Sequence, residues 1–374
     1  MSSSDKFFGG IALKLLKGFV LENSIDPGKI DPGSIKNILI ILRHQMGDLI
    51  TATPMLRSLK TAFPEAKLIL VTKSSTRYNE IYTGVNSIAD EVFMYENGFE
   101  NFINLVKQLR ERKPDLAIVP STVVYSATNH LLAYYSNAKI RVGVKSHDYE
   151  DNPVGYLLNV KNEFLWESKR IHQTQRNLDI LRQFVANPSD VLIKINLNPA
   201  NLEFAEKFYT ENNIDRSKPV ISIHPGAAKT GNVWPAEKFG ELANLLNKKY
   251  DASILISEGP LDKKYADDLA AILKEKYSIE RILRHKGLLM NNLALIGLSD
   301  LFITNDTGVM HLASGLDNPL IALFGPTKAF QWGPLGNDKI SMQSASSNIQ
   351  NIDVNEVFEQ SIKLLYYRIR KKEA

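Results

Sequence analysis

Short apolar runs alternate with longer segments of helical period along nearly the whole chain. The β-rich runs are "ILIIL" (38–42), "KLILVT" (67–72), "DLAIVP" (115–120) and "KIRVGV" (139–144) in the first half. In the second half they are "VISIHPG" (220–226), "SILISE" (253–258), "LFITND" (301–306) and "LIALFGP" (320–326). Helical periodicity fills 52–63, 100–112, 235–250 and 262–276 between them. Strands spaced by helices in this way predict βαβ units and parallel sheets. Two such sets, separated by a helical and loop-rich stretch at 150–215, predict two doubly wound α/β domains. The expected division is an N-terminal amphipathic segment and linker over 1–35, a first domain over 36–190, a second over 191–350 and a closing helix within 351–374. That last helix, "IDVNEVFEQSIKLLYYRIRKK" (352–372), carries Asp353 as its expected cap and ends in basic residues, as a helix dipole prefers.

The pattern changes at the N-terminus. In "KFFGGIALKLLKGFVLE" (6–22), Lys6, Lys14 and Lys17 share one arc of a helical wheel, and Phe7, Phe8, Ile11, Leu15 and Phe19 lie on another face. Two readings stand side by side: a helix lying on an anionic membrane surface, or one packed on the protein's own body with its lysines in water. The run is too short and too charged to span a bilayer, and no small-residue cleavage site follows it. "IDPGKIDPGSI" (25–35) reads as a turn-rich linker.

Composition narrows the function classes. A chain of 374 residues with 44% hydrophobic content can bury two cores of ordinary size. The net charge of +4 gives no reason to expect nucleic acid as a partner. There are no cysteines, which removes disulfides, thiolate metal sites and cysteine nucleophiles and suits a cytoplasmic protein.

In open parallel sheets ligands bind beyond the carboxyl ends of the strands, so the residues that follow each strand carry the chemical information. After the first strand, "RHQMGDLITATP" holds Gly47, which lets a ligand or loop approach closely, and Asp48 in the first turn of the next helix. Helix capping alone is a sufficient reason for an aspartate there. Neither common nucleotide fingerprint is present in this loop.

After the strand at 220–224 comes "HPGAAKTGNVWPAEKF". Its Gly226, Ala227, Ala228 and Lys229 precede a helix at Pro235 and form a candidate phosphate cradle. Glu258 and Asp262, after the strand at 253–257, are candidate acceptors for ribose hydroxyls, although solvated loop acids look the same in sequence.

The strongest local signal is "DLFITNDTGVMHLASGLDNPLIALFGPT" (300–327). There Asp306, Thr307 and Gly308 close a strand and open a small-residue helix that carries His311, and such turns let backbone amides meet a diphosphate. No H-E-x-x-H motif, tight metal-ligand cluster or D-x-D appears, so no metal site is expected.

Taken in this order, "ILIILRHQMGDLITATPMLRSLKTAFP", "HPGAAKTGNVWPAEKFGELANLL" and "DLFITNDTGVMHLASGLDNPLIALFGPT" resemble glycosyltransferase family 9, the ADP-heptose:lipopolysaccharide heptosyltransferases, across roughly residues 36–345. The resemblance implies the GT-B architecture, two Rossmann-like domains facing each other across a cleft. It implies inverting, metal-independent transfer of a heptose from a nucleotide-sugar donor, ADP-heptose, to a hydroxyl of a lipid-linked lipopolysaccharide core acceptor, with no cofactor. Asp48 matches the family's catalytic base, and Asp306 the position that touches the donor sugar. Gly47 and Arg77 fall on the acceptor side. The family usually carries a lysine two residues before Trp234-Pro235, where this chain has Asn232. Lys229 is a candidate substitute on the donor phosphate. The implied location is cytoplasmic, peripheral at the inner face of the cytoplasmic membrane. The alternatives are a GT-B enzyme using another nucleotide sugar and a non-catalytic nucleotide-sugar binding protein.

Overall fold

A computed structural model describes residues 10–20, 23–43, 45–73, 89–188 and 190–373, and the chain divides into two compact units between Val191 and Leu192. In chain order the first unit contains α1 (Gly10–Phe19), β1 (Asn37–Leu42), α2 (Met46–Thr51), α3 (Thr53–Ala62), β2 (Lys67–Lys73), β3 (Glu91–Tyr95) and α4 (Phe99–Glu111). It continues with β4 (Leu116–Ile118), α5 (Ala127–Tyr135), β5 (Ile140–His147), β6 (Glu150–Asp151), β7 (Val160–Phe164) and α6 (Gln173–Leu181). Its sheet runs β3-β2-β1-β4-β5-β6, with β7 also paired to β5. Every pairing is parallel except β5 with β6.

The second unit contains α7 (Pro199–Glu211), β8 (Val220–His224), α8 (Ala236–Tyr250), β9 (Ser253–Glu258), α9 (Lys263–Ala271), β10 (Ile282–Lys286), α10 (Leu289–Leu298) and β11 (Leu301–Asn305). It ends with α11 (Gly308–Ala313), β12 (Leu320–Phe324), α12 (Ala329–Trp332), β13 (Lys339–Gln343) and α13 (Val354–Glu373). Its strand order is β10-β9-β8-β11-β12-β13, all parallel. Each unit is therefore a Rossmann-like sheet whose order reverses between two central strands, β1 and β4 in the first and β8 and β11 in the second. Ligands bind at that switch point, beyond the carboxyl ends of those strands.

The central strands form where the sequence is apolar without interruption, because helices cover both faces of a parallel sheet. Ile38 through Ile41 are fully buried, as are Leu301, Phe302 and Ile303. Both units start the reversal with the same device. Asp115, just before β4, accepts from the amides of Lys36 (2.8 Å) and Asn37 (3.0 Å) at the mouth of β1, and Asp300, just before β11, accepts from Val220 N (2.9 Å) at the mouth of β8. In each case a carboxylate just before one central strand holds the start of the other, and at Val220 it satisfies a buried amide.

Several elements differ from the sequence expectation. The helix expected over 52–63 is two: α2 begins at Met46, and α3 restarts after Ala52 with Pro54 in its first turn, where a missing N–H costs nothing. The helix expected over 262–276 ends at Ala271 and continues as a π-turn, Ile272–Lys276. Strand β7 and helices α6 and α7 lie inside the stretch read only as helical and loop-rich. α13 starts at Val354 with Asp353 accepting from Asn355 N (2.8 Å), as expected of its cap.

At the N-terminus α1 packs on its own unit. Leu13, Leu16 and Val20 join the core under α4 and α5, and Tyr156 donates to the Leu13 carbonyl (2.9 Å). Phe19 stays 84% exposed. The linker read at 25–35 is two short 3₁₀ turns, each opened by an Asp-Pro-Gly in which Asp26 or Asp31 caps the glycine amide at 3.0 Å. No helix among the described residues is long and apolar enough to cross a membrane.

Candidate active site

In the first unit the chain leaves β1 and turns into α2 within three residues. Gln45 is the N-cap, and Asp48, the third residue of the helix, accepts from the Gln45 backbone N–H at 3.0 Å. This is a capping box, the structural role that sequence alone allowed for Asp48. The carboxylate is half-buried rather than enclosed, and it sits at the carboxyl end of β1, at the switch point. Gly47 lies beside it, also half-buried. Arg77 lies outside the described residues.

A residue at the same strand end to which sequence reading gave no role is Arg43, the first after β1. Its guanidinium donates to Asn97 Oδ1 (2.8 Å) and Asn129 Oδ1 (3.2 Å) and stacks on Tyr95 at 4.2 Å from the ring centroid. The signal was present in its position: a strand-end cation at the switch point falls under the same rule that pointed to Asp48.

In the second unit the switch point gathers three segments. Asn305, the last residue of β11, donates to the carbonyls of Pro225 (2.9 Å) and Gly226 (3.3 Å) and accepts from Trp234 N (3.1 Å), so the loop after β8 is tied to the end of β11. Trp234 is fully buried, with its indole N–H on the Ile352 carbonyl at 3.2 Å. The turn Thr230–Asn232 then brings Asn232 to Asp306. Its Nδ2 donates to Asp306 Oδ2 (2.9 Å) and Thr327 Oγ1 (3.2 Å), while its Oδ1 is buried with no hydrogen-bond partner. Burial pushes the Asp306 carboxyl above its usual range, opposed by Thr327, the Lys229 charge and Asn232. The residue at the position of the family's lysine is thus a neutral donor to Asp306.

The cradle residues divide by exposure: Gly226 and Ala227 are buried, and Ala228 and Lys229 are exposed. Thr307 caps α11 by accepting from Met310 N (3.2 Å), and Gly308 is that helix's first residue. His311 is buried edge-on to Trp332, with ring centroids 5.9 Å apart, and burial lowers its pKa to about 4, so it is a neutral imidazole.

Neither strand-end acid is a solvated loop residue. Glu258 is 2% exposed, and Arg284 Nε donates to its Oε2 (2.7 Å). Its Oε1 is buried with no hydrogen-bond partner, so the ion pair occupies one oxygen of the carboxylate and not the other. Asp262 folds back over its own turn, accepts from Gly259 N (3.1 Å) and lies 3.5 Å from the buried His224 ring. A Cβ on Gly226 would stand 2.3 Å from Asp262 Oδ1, so Gly226 makes room for this staple. No group of three or more His, Asp or Glu side chains that could hold a metal ion comes together among the described residues.

Two Rossmann-like units with parallel, doubly wound sheets are those of the GT-B fold. The model of glycosyltransferase family 9 (heptosyltransferase) matches residues 102–361, and the chain belongs to that family. It is 23% identical to lipooligosaccharide heptosyltransferase 2 of Campylobacter jejuni, covering 82% of this chain and 86% of that protein. It is 24% identical to an Escherichia coli lipopolysaccharide heptosyltransferase 3, covering 79% and 85% respectively. The structure of E. coli ADP-heptose lps heptosyltransferase II superposes with a TM-score of 0.71 at 20% identity, over 90% of this chain and all of that one. That likeness concerns the fold.

Proposed function

We propose that this glycosyltransferase moves a heptose from ADP-heptose to a hydroxyl of a lipopolysaccharide core acceptor, with inversion and without a metal or cofactor. The observation that carries the reading is Asp48: a partly exposed carboxylate at the switch point of the first unit, in a chain whose second unit builds a cradle at its own. Its relatives, heptosyltransferases of lipooligosaccharide and lipopolysaccharide, support the substrates.

In the proposed step the acceptor oxygen attacks the anomeric carbon as the bond to the diphosphate oxygen breaks. The acceptor proton passes to Asp48, and ADP leaves with the electron pair. A sugar hydroxyl is a poor nucleophile until a positioned base takes its proton in the transition state. A single displacement puts the new bond on the opposite face, hence inversion. The developing charge on the diphosphate would be met by amides of the 226–229 loop, by the N-terminus at Thr307 and Gly308, and by the exposed Lys229. Ionised Asp306 would accept from a donor-sugar hydroxyl, and Asp262 supports the cradle from behind Gly226.

The test is mass-spectrometric detection of a heptosylated acceptor. Asp48→Ala should abolish product while the thermal shift given by ADP-heptose persists. Parental turnover in that variant removes Asp48 as the base. A parent protein that is stabilised by donor but makes no product is a binding protein instead. Lys229→Ala should slow transfer, and Asn232→Lys, which restores a cation at the family's position, should recover it. An unchanged rate in Lys229→Ala removes Lys229 from the mechanism.

A further inference from the structure

The β5–β6 hairpin of the first unit holds a strained, exposed aromatic that the packing of the fold does not use. Ser146 pairs with Asp151 and His147 with Glu150, so Asp148 and Tyr149 form a two-residue turn. Their φ values are 47° and 67°, the pattern of a type I′ turn, whose second position is ordinarily glycine. Tyr149 is the one aromatic among the described non-glycine residues with positive φ, and it is 89% exposed. A side chain in that conformation crowds its Cβ against the backbone, so the turn is strained. The hairpin is nevertheless braced from beneath. The Tyr125 hydroxyl accepts from His147 N (3.0 Å) and donates to the Glu150 carbonyl (2.9 Å), and Asp148 accepts from Glu167 N (2.9 Å). The segment leading to Tyr125 is tied down at Thr122, whose hydroxyl accepts from Gln173 Nε2, and it carries the exposed Val123 and Val124.

We propose that Tyr149 is a stacking platform for a sugar ring of the acceptor, one further along the chain of sugars than the ring that reacts. The register of the sheet gives its place. Ile40 of β1 is level with Ile118 of β4, and Ile118 with Val142 of β5, so Val144 is level with Leu42, the end of β1. β5 runs on to His147, roughly 10 Å past that level along the strand direction. It also lies two strands from β1, roughly 10 Å to the side. The turn therefore rises above the carboxyl edge, the ligand-binding end of an open parallel sheet, yet stands off from the switch point that holds Asp48. Strain of this kind persists where the surroundings over-determine it, and the bracing at both arms of the hairpin supplies that. The C–H face of a pyranose matches the electron-rich face of a phenol ring, and a ring already fixed in place loses little freedom on binding. That a saccharide acceptor passes this edge rests on the proposed function.

The experiment compares two acceptors with the full-length protein: a delipidated lipopolysaccharide core oligosaccharide, and methyl heptoside, a single ring. Tyr149→Gly relieves the turn and removes the phenol, so two effects of opposite sign are expected. The melting temperature should rise by roughly 2–4 °C. KM for the oligosaccharide should rise roughly three- to tenfold, with kcat unchanged. Kinetics with methyl heptoside should stay parental, and Tyr149→Phe, which keeps the ring, should keep the parental KM for both acceptors. A merely structural role would lower stability and weaken both acceptors together. A parental KM for the oligosaccharide in Tyr149→Gly overturns the proposal, as does an equal rise with methyl heptoside. Titration calorimetry with the oligosaccharide and no donor separates this result from the enzymatic reading. If the parent binds the oligosaccharide, Tyr149→Gly binds it correspondingly more weakly and neither makes product, the transferase reading fails and the platform stands. If the parent does not bind it, the platform falls.

Discussion

Asn232 occupies the position where the family has a lysine, and its contacts make a quantitative expectation possible. Its Nδ2 donates to Asp306 Oδ2 at 2.9 Å, and its Oδ1 has no partner to lose. Asn232→Ala therefore removes one hydrogen bond to a carboxylate without orphaning another group beyond Thr327. A hydrogen bond to a charged group is worth about 1.5–3 kcal/mol, and it favours the ionised form over the protonated one. The acid limb of kcat/KM should therefore move up in pH.

The sign follows from the site. Burial already raises Asp306, Asn232 opposes burial, and removing Asn232 lets burial act further. The assay is the pH profile of kcat/KM for ADP release, since that ratio reports free-enzyme ionisations. Asn232→Lys, which places a cation beside the carboxylate, should move the same limb down. A uniform loss of rate at every pH in Asn232→Ala, with the limb unmoved, would refute the idea that Asn232 acts through Asp306.

Two further outcomes test the second unit. Because Asp306 is raised in the folded protein, its ionisation costs stability. That cost is absent below the range of an unfolded aspartate and fully present once pH exceeds the raised native value. Asp306→Asn should therefore raise the melting temperature near neutral pH, give no such gain below about pH 3, and weaken transfer. An equal change in melting temperature at both pH values would contradict this. Gly226→Ala would place a Cβ 2.3 Å from Asp262 Oδ1 and 2.7 Å from its Cβ, which forces the staple open and breaks the bond from Gly259 N. The loss should be about 2 kcal/mol, or roughly 4–8 °C in thermal unfolding, and an unchanged transition would show that the loop accommodates a methyl group.

The sequence made the centre of each sheet legible and left its margins obscure, for one physical reason. β1, β8, β11 and β12 are covered on both faces, so their residues are buried almost throughout and mostly apolar, and they read as strands. β3, β10 and β13 are outer strands with mixed burial, and "EVFMY", "ILRHK" and "KISMQ" lack a continuous apolar run. The positions of Asp48, Asp306 and Thr307 at strand ends were readable from spacing alone. The partners Asn232 to Asp306 and Arg43 to Asn97 and Asn129 span from 54 to 86 residues, and no local pattern encodes a contact made only when the sheet assembles. For the same reason Glu258 looked like a loop acid: its ion pair comes from Arg284 on the neighbouring strand β10.

The capping box at α2 ties two duties to one carboxylate. In the proposed reaction a proton arrives on the group that is holding the Gln45 amide in place. A protonated acid is a weaker acceptor for that amide, so the start of α2 is loosest just after bond formation and tightens again when the proton departs to water. Turnover and the rigidity of that helix end would then rise and fall in step, with the loop slackening at the moment the product has to leave.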